Sequence, residues 1–361
     1  MQRIIERFNK DYFKTVHEIS PLIKISWAKY FKKTNVNSNR ILIVSSCLIG
    51  DFVVSLHAIH SFILDNKNNK IDLVVTSPLY ELAKHINGVD KVYVAKSSYQ
   101  RKTEKYAKIL PKKEYKFVLV MRMSPDAYKT LSKVKFGEMK TYAREMVKYS
   151  LHILKSLGGE NIKQWREVNF DFIGKKIRYY SYQDIFDIKK KDYLCLSRLN
   201  LKSKKKIVVH TGSGWPSKLW DNDKWIELVK RINDYGNFQF IFVGGEQTEE
   251  ETYNKIRKAV KIDSVSAIKK INVFQNILLM SKCDLFIGVD SGPRHLANLV
   301  DIPGVCLLGP GLKTFMPTGK KTNVIKKSCK KCTSTLCVKK NKCMDKIGVK
   351  EVFSAFKRRI T

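Results

Sequence analysis

Short apolar runs alternate with amphipathic stretches along most of this chain. Residues 1–34 carry Ile4, Ile5, Phe8, Tyr12, Phe13, Val16 and Ile19 at helical spacing, with Lys and Arg between them, and predict a helical extension. The polar segment KKTNVNSNR then breaks the pattern. ILIVSSC (41–47) reads as a strand, IGD turns it, and Phe52 to Leu64 reads as a helix. IDLVVT, KVYVA and FVLVMR continue as strands, with PLYELAKHI as a helix after the first of them. YAREMVKYSLHILKSLG predicts a further helix ending at Gly158, and residues 160–203 read as an irregular stretch containing a linker.

From Lys206 the alternation restarts. KIVVHTG, FQFIFVGG, DLFIGVD and GVCLLG read as strands. DKWIELVKRINDYG, EETYNKIRKAV, FQNILLMSKC and PRHLANLV read as helices. Apolar strands without in-out alternation, each followed by an amphipathic helix, predict parallel sheets covered on both faces. The expected fold is α/β, with two Rossmann-like doubly wound domains facing a cleft. The boundaries set by these patterns are 1–34 for the extension, 35–185 for the first domain and 186–361 for the second.

At 361 residues, 43% of them hydrophobic, the chain is long enough for two cores. The 69 Lys and Arg against 33 Asp and Glu leave a net charge of +36. Such an excess is either solvated over the whole surface or meets anions: nucleic acid, an anionic membrane face or phosphorylated substrates. No apolar run approaches the ~18 residues of a spanning helix, and the charged N-terminus lacks the apolar core of a secretory signal. A cytoplasmic location is therefore expected. Cys47, Cys195, Cys283 and Cys306 are scattered through mostly apolar contexts, where cysteine acts as a small hydrophobe.

In open α/β sheets ligands bind beyond the carboxyl ends of the strands, so the residues just after each apolar run carry the chemistry. Gly50 and Asp51 follow the first strand. Gly50 permits a tight turn or a close ligand. Asp51 is either the N-cap of the next helix or a cleft carboxylate able to take a proton from a hydroxyl. In HTGSGWPSKLWDNDKW, Gly212, Ser213 and Gly214 offer backbone N–H groups to phosphate and Lys218 offers a cation. Trp225 is read as core. In VGGEQTEEE, two glycines precede acids that are either ribose ligands or a solvated helix start. In VDSGPRHLA, Asp290 ends a strand and Ser291 and Gly292 precede Pro293, a residue suited to a first helical turn. That helix N-terminus, with His295 beside it, is a candidate anion site.

These motifs, IGD, GSGWPSKLW, FVGG…E and VDSGPRHLAN…PGVCLLGP, resemble in order and spacing the bacterial lipopolysaccharide heptosyltransferases of glycosyltransferase family nine, over about Ile41 to Val352. The resemblance implies a GT-B type fold, with the acceptor on the first domain and a nucleotide sugar on the second. It implies inverting transfer of heptose from ADP-heptose to the inner core of lipopolysaccharide, with no metal required for catalysis. By the same resemblance Asp51 is the catalytic base and Lys218 contacts the donor phosphates. Glu249 is chosen for the ribose contact, with Glu246 or Glu250 as substitutes. Gly212, Ser213, Asp290, Ser291, Gly292 and His295 complete the donor site. Arg294 departs from the family, which commonly has an apolar residue there, and is a candidate contact for donor or acceptor. GLKTFMPTG after LLGP departs from a frequent Thr-Asp-Pro pattern, which leaves the sugar or base open.

Cys329, Cys332, Cys337 and Cys343 form a C-x2-C-x4-C-x5-C cluster. The chemical options are zinc, an iron–sulfur cluster or disulfides; a cytoplasmic location disfavours the last, and a structural role is expected. The surrounding 318–346 segment holds ten lysines and one aspartate, either a solvated loop or a contact for anionic lipid or acceptor phosphate. The partners expected are a nucleotide-sugar donor, a lipid-linked anionic glycan, and the inner face of the cytoplasmic membrane, met peripherally. Transfer of another sugar to a different cell-surface glycan is the alternative. A basic nucleic-acid-binding protein with a zinc module is disfavoured, because no basic helix has base-reading spacing. A nicotinamide oxidoreductase is disfavoured by the missing G-x-G-x-x-G after the first strand.

Overall fold

A computed structural model describes residues 34–95, 110, 113–122, 131, 134–141, 165–310, 319–327 and 343–360. The predicted N-terminal helix, the helix ending at Gly158, the GLKTFMPTG loop and three of the clustered cysteines lie outside them. The first sheet contains β1 (Arg40–Ser45), β2 (Lys70–Thr76), β3 (Lys91–Ala95), β4 (Glu114–Arg122) and β5 (Lys135–Thr141). Its order is β3-β2-β1-β4-β5, and every pairing is parallel. β1 is central and buried on both faces from Ile41 to Ser45, which is why it reads as an unbroken apolar run. Asp72 in β2 is fully buried, between Arg40 (2.8 Å) and the Tyr115 hydroxyl (2.9 Å).

The second sheet contains β6 (Lys206–His210), β7 (Gln239–Phe242), β8 (Ser264–Ser266), β9 (Leu285–Val289), β10 (Gly304–Leu308) and β11 (Thr322–Lys326). Its order, β11-β10-β9-β6-β7-β8, is also all parallel. Counted from β6, this is the doubly wound dinucleotide-binding arrangement, whose order reverses between β6 and β9. The reversal opens a crevice between His210 and Val289, where the chain leaves both strands.

Helices α1 (Ile49–Asp65), α2 (Tyr80–Ala83), α3 (Trp165–Ile173) and α4 (Tyr182–Ile185) accompany the first sheet. Helices α5 (Asn222–Tyr235), α6 (Gln247–Ala259), α7 (Val273–Met280), α8 (Gly292–Leu299) and α9 (Val349–Ile360) accompany the second. One core is built around Trp225, Phe240 and Phe356, with α5 against α9, and Trp225 is buried there as the sequence predicts. The two halves meet where α1 packs on α8, and again where the His85 ring stacks on Phe274, centroids 3.6 Å apart. Among the described residues no helix is long and apolar enough to cross a membrane.

The pattern missed several elements. β8 and β11 are short outer strands, with Ile325 alone fully buried among their residues, so neither carries a strong apolar signal. PLYELAKHI does not form one helix: a 3₁₀ turn (Ser77–Leu79) leads into the single turn of α2, and Ile86 then bridges to Phe186. The irregular 160–203 stretch contains α3, α4 and a ten-residue 3₁₀ segment, Lys190–Leu199.

Candidate active site

The strand-end motifs gather at the crevice between β6 and β9 and at the junction of α1 with α8. Asp290 follows β9 and is almost fully buried. Its Oδ2 accepts from Lys218 Nζ at 2.8 Å, and its Oδ1 pairs with Arg294 Nη2 at 2.8 Å. Burial alone would raise the Asp290 pKa, but Arg294 and Lys218 outweigh it and hold the carboxyl down to about 2. Lys218 ends a 3₁₀ turn and also lies over the Trp215 ring, 4.7 Å from its centroid.

Ser291 is the N-cap residue of α8, but its hydroxyl does not cap the helix. It bonds His210 Nε2 at 2.5 Å instead. His210 Nδ1 faces the Val243 carbonyl at 3.0 Å and Glu249 Oε1 at 3.3 Å. Both partners only accept, so the ring proton sits on Nδ1 and Ser291 donates to Nε2. Gly292 starts the helix and Pro293, which has no N–H, follows in its first turn.

Glu249 is separated from its acidic neighbours by burial: it is 3% exposed, whereas Glu246 is exposed and Glu250 pairs with Lys269. Its Oε2 accepts from the N–H groups of Gly245 (2.7 Å) and Glu246 (2.8 Å). Glu249 is thus a helix-start acid, the third residue of α6 closing a capping box with Glu246, but it is not a solvated one: its carboxylate folds inward over the end of β6. Gly212 and Gly244 make room for it: a Cβ on either would overlap a Glu249 carboxylate oxygen. Glycine at 212 is therefore required by Glu249 packing. Ser213 is half-buried, and its Oγ accepts from the Trp215 N–H at 3.1 Å.

Asp51 is half-buried in the first turn of α1, whose N-cap is Leu48. The N-cap alternative for Asp51 is thus replaced by a place inside the helix. Gly50 beside it meets the first turn of α8 directly. A Cβ on Gly50 would stand 2.9 Å from His295 Cδ2 and 3.8 Å from Gly292 Cα. One on Gly292 would stand 3.4 Å from the Ile49 side chain. IGD and DSGPRH, 239 positions apart between Asp51 and Asp290, form one locus.

Three participants escaped sequence reasoning. His210 was visible as a polar strand end before Gly212 but was given no role. Arg166 lies in the stretch read as irregular; its guanidinium sits over the Tyr179 ring at 5.0 Å. Burial lowers the Arg166 pKa, Tyr179 works against it, and the charge of Arg294 from the other half adds to the lowering. Arg294 was read as a departure in contact with donor or acceptor, but its protein partners Asp290 and His295 were not foreseen. Cys343, the described member of the cysteine cluster, is buried just before the 3₁₀ turn Met344–Lys346. Among the described residues no three potential metal ligands come together.

Solved structures share this architecture. The Escherichia coli ADP-heptose lipopolysaccharide heptosyltransferase II superposes with a TM-score of 0.63 at 18% identity, covering 89% of this chain and 98% of that one. The E. coli heptosyltransferase WaaC, solved with ADP, gives 0.64 at 17% identity, covering 89% and 99%. At such identities the likeness establishes the fold, which is of the GT-B type. Lipopolysaccharide heptosyltransferase 1 of Campylobacter coli is 29% identical over 160 residues, or 42% of this chain; the match spans 46% of that relative's length. The family model described as glycosyltransferase family 9 (heptosyltransferase) matches residues 103–347, a span that begins after β3 and takes in the whole second sheet. With more than half of its length matched, this chain belongs to glycosyltransferase family 9.

Proposed function

We propose that the protein transfers a heptose from ADP-heptose to the inner core of lipopolysaccharide, with inversion at the anomeric carbon. The observation that carries this reading is the Lys218–Asp290–Arg294 cluster at the β6/β9 crevice, with Gly50 of α1, the neighbour of Asp51 in sequence, against His295 and Gly292 of the adjoining helix. Strongly coupled buried charges in a cleft mark functional sites, and here the cations Lys218, Arg294 and Arg166 outnumber Asp290. That balance suits a nucleoside diphosphate, as does the N-terminus of α8 beside it.

Each residue then has a role. Glu249 accepts from the ribose. Lys218 and the first-turn N–H groups of α8 meet the diphosphate, and Gly212, Ser213, Ser291, Gly292 and His295 line its surroundings. As the bond from the anomeric carbon to the phosphate oxygen breaks, negative charge grows on the departing ADP. Fixed cations and N–H groups stabilise that charge, in the place a metal ion would otherwise take. On the opposite face the acceptor hydroxyl attacks and its proton passes to Asp51. An ADP-heptose donor is the choice that fits the ADP and ADP-heptose named for structurally similar enzymes.

The +36 charge suits a phosphorylated lipid acceptor and peripheral contact with the anionic inner membrane face. A structural zinc or iron–sulfur centre at Cys329, Cys332, Cys337 and Cys343 remains part of this reading, with elemental analysis of purified protein as its check. Donor choice is tested by thermal unfolding with ADP-heptose, other ADP-sugars, UDP- and GDP-sugars and duplex DNA. ADP-sugars are expected to raise the melting temperature. Stabilisation by DNA alone would remove the transferase reading, and stabilisation by UDP- or GDP-sugars alone would replace the donor.

A further inference from the structure

Arg294 is the largest charged side chain buried in the molecule's described residues, 1% exposed, and it is central to the cluster around Asp290. A single amine, Nη2, lies 2.8 Å from Asp290 Oδ1 and 2.7 Å from His295 Nε2. An arginine Nη2 has two N–H bonds and no acceptor. One N–H therefore serves each partner, so His295 Nε2 is an acceptor and the ring proton sits on Nδ1. The other oxygen of Asp290 is bonded to Lys218 Nζ at 2.8 Å. One carboxylate is thus shared between two cations from different elements.

We propose that Arg294 is a positioning residue for the transfer: it fixes His295 as the neutral Nδ1–H tautomer, and it balances Asp290 so that the Lys218 ammonium is free to engage the leaving diphosphate. The inference rests on the donor site described under the proposed function. With an apolar residue at 294, Lys218 would be the nearest counterion of Asp290, and phosphate would compete with that carboxylate for one ammonium. With Arg294 present, Asp290 keeps a charge-assisted partner when Lys218 turns to phosphate. The groups that face His295 are Asp290 at the end of β9, Lys218 from its 3₁₀ turn, Arg166 from α3 and Arg294 on its own helix. Gly50 of α1, next to Asp51, closes the ring on the other side. Burial and then Arg294 keep this imidazole well below the ordinary histidine range, with Asp290 pulling the other way. Losing Arg294 leaves Asp290 to act on a ring whose Nε2 no longer receives a hydrogen bond.

The test uses the full chain with ¹⁵N-labelled histidine, His295 being assigned from the signal missing in His295→Gln. In the unsubstituted protein, long-range ¹H–¹⁵N spectra are expected to show a protonated Nδ1, a bare Nε2 and no titration between about pH 5.5 and 8, since the reference imidazole would titrate near 6.5. In Arg294→Met the tautomer is expected to change or a titration to enter that range, and ADP affinity to fall roughly tenfold or more, as loss of a charged hydrogen bond implies. Arg294→Lys is expected to recover much of the ADP affinity but not the tautomer. An Nε2–H tautomer in the unsubstituted protein overturns the proposal without any variant, so a misfolded Arg294→Met leaves it testable. Unchanged tautomer, titration and ADP affinity in Arg294→Met also overturn it. If the tautomer is as expected but the unsubstituted protein binds no ADP, the donor-site reading fails and the role in transfer fails with it.

Discussion

Gly50 and His295 touch across the junction of the two halves: a Cβ on Gly50 would lie 2.9 Å from His295 Cδ2 and 3.2 Å from Nε2. No side chain fits between α1 and α8 at this point without moving the imidazole or the helix. The pair ties the turn that carries Asp51 to the loop that carries Asp290. The first prediction follows. Gly50→Ala should favour helix α1 locally, by up to about 1 kcal/mol, yet force the junction apart. Overpacking of about 1–3 kcal/mol offsets that gain, so the melting temperature is expected to hold or fall slightly while kcat/KM falls roughly tenfold or more, since a small misplacement of reacting groups costs rate steeply. Unchanged kcat/KM would mean that the junction does not set the reacting geometry.

Lys218→Met removes the ammonium that bonds Asp290 at 2.8 Å. Asp290 keeps Arg294, so the fold is expected to survive. Transfer is expected to fall roughly 10²-fold or more through loss of charge stabilisation, and ADP to bind more weakly. Calorimetric titration with ADP and steady-state kinetics measure both effects.

Gly212→Ala places a methyl group where the Glu249 carboxylate lies. Glu249 is tied to two backbone N–H groups and to His210, so it cannot retreat freely. Overpacking is expected to cost about 1–3 kcal/mol, read from chemical denaturation, together with weaker ADP binding. Gly214, around which there is open space, supplies the control: Gly214→Ala is expected to cost little stability.

The buried histidines of α1 give a pH dependence. Burial, then Arg166 and His60, lower the His57 pKa to about 3, and burial lowers that of His60. The native state therefore binds fewer protons than the unfolded chain below about pH 6.5. His57 contributes stability that is fully present above that value and is lost as pH falls toward 3. Stability is expected to drop by about 1.4 kcal/mol per pH unit for such a histidine in that window. His57→Phe should flatten the dependence in denaturation curves at pH 7.5, 6 and 5; an unchanged slope would assign it elsewhere.

Much of this architecture was legible because its strands are buried on both faces, as β1, β6 and β9 are, and so read as uniform apolar runs. The polar loop after β9 was legible for a related reason. Asp290, Ser291 and Gly292 interrupt such a run where a doubly wound sheet places ligands. The outer strands β8 and β11 were not, because little of them is buried. Arg166 was hidden in a stretch without clear periodicity, and only the packing of α3 on α1 brings it toward the other half. The inward fold of Glu249 was half legible: Gly212 was read as offering its N–H to phosphate, whereas Gly212 and Gly244 make room for the Glu249 carboxylate.

The central claim is that Asp51 removes the acceptor proton while the second half holds ADP-heptose. Its most direct measurement is mass spectrometry of a heptose-lacking inner-core acceptor after incubation with ADP-heptose, using the unsubstituted protein and Asp51→Asn. The unsubstituted protein is expected to add one heptose with inverted anomeric configuration. Asp51→Asn is expected to bind ADP-heptose normally by calorimetry but to transfer roughly 10²–10⁴-fold more slowly, the range for loss of a general base. Near-normal transfer by Asp51→Asn, or no transfer by the unsubstituted protein despite bound ADP-heptose, would contradict the claim.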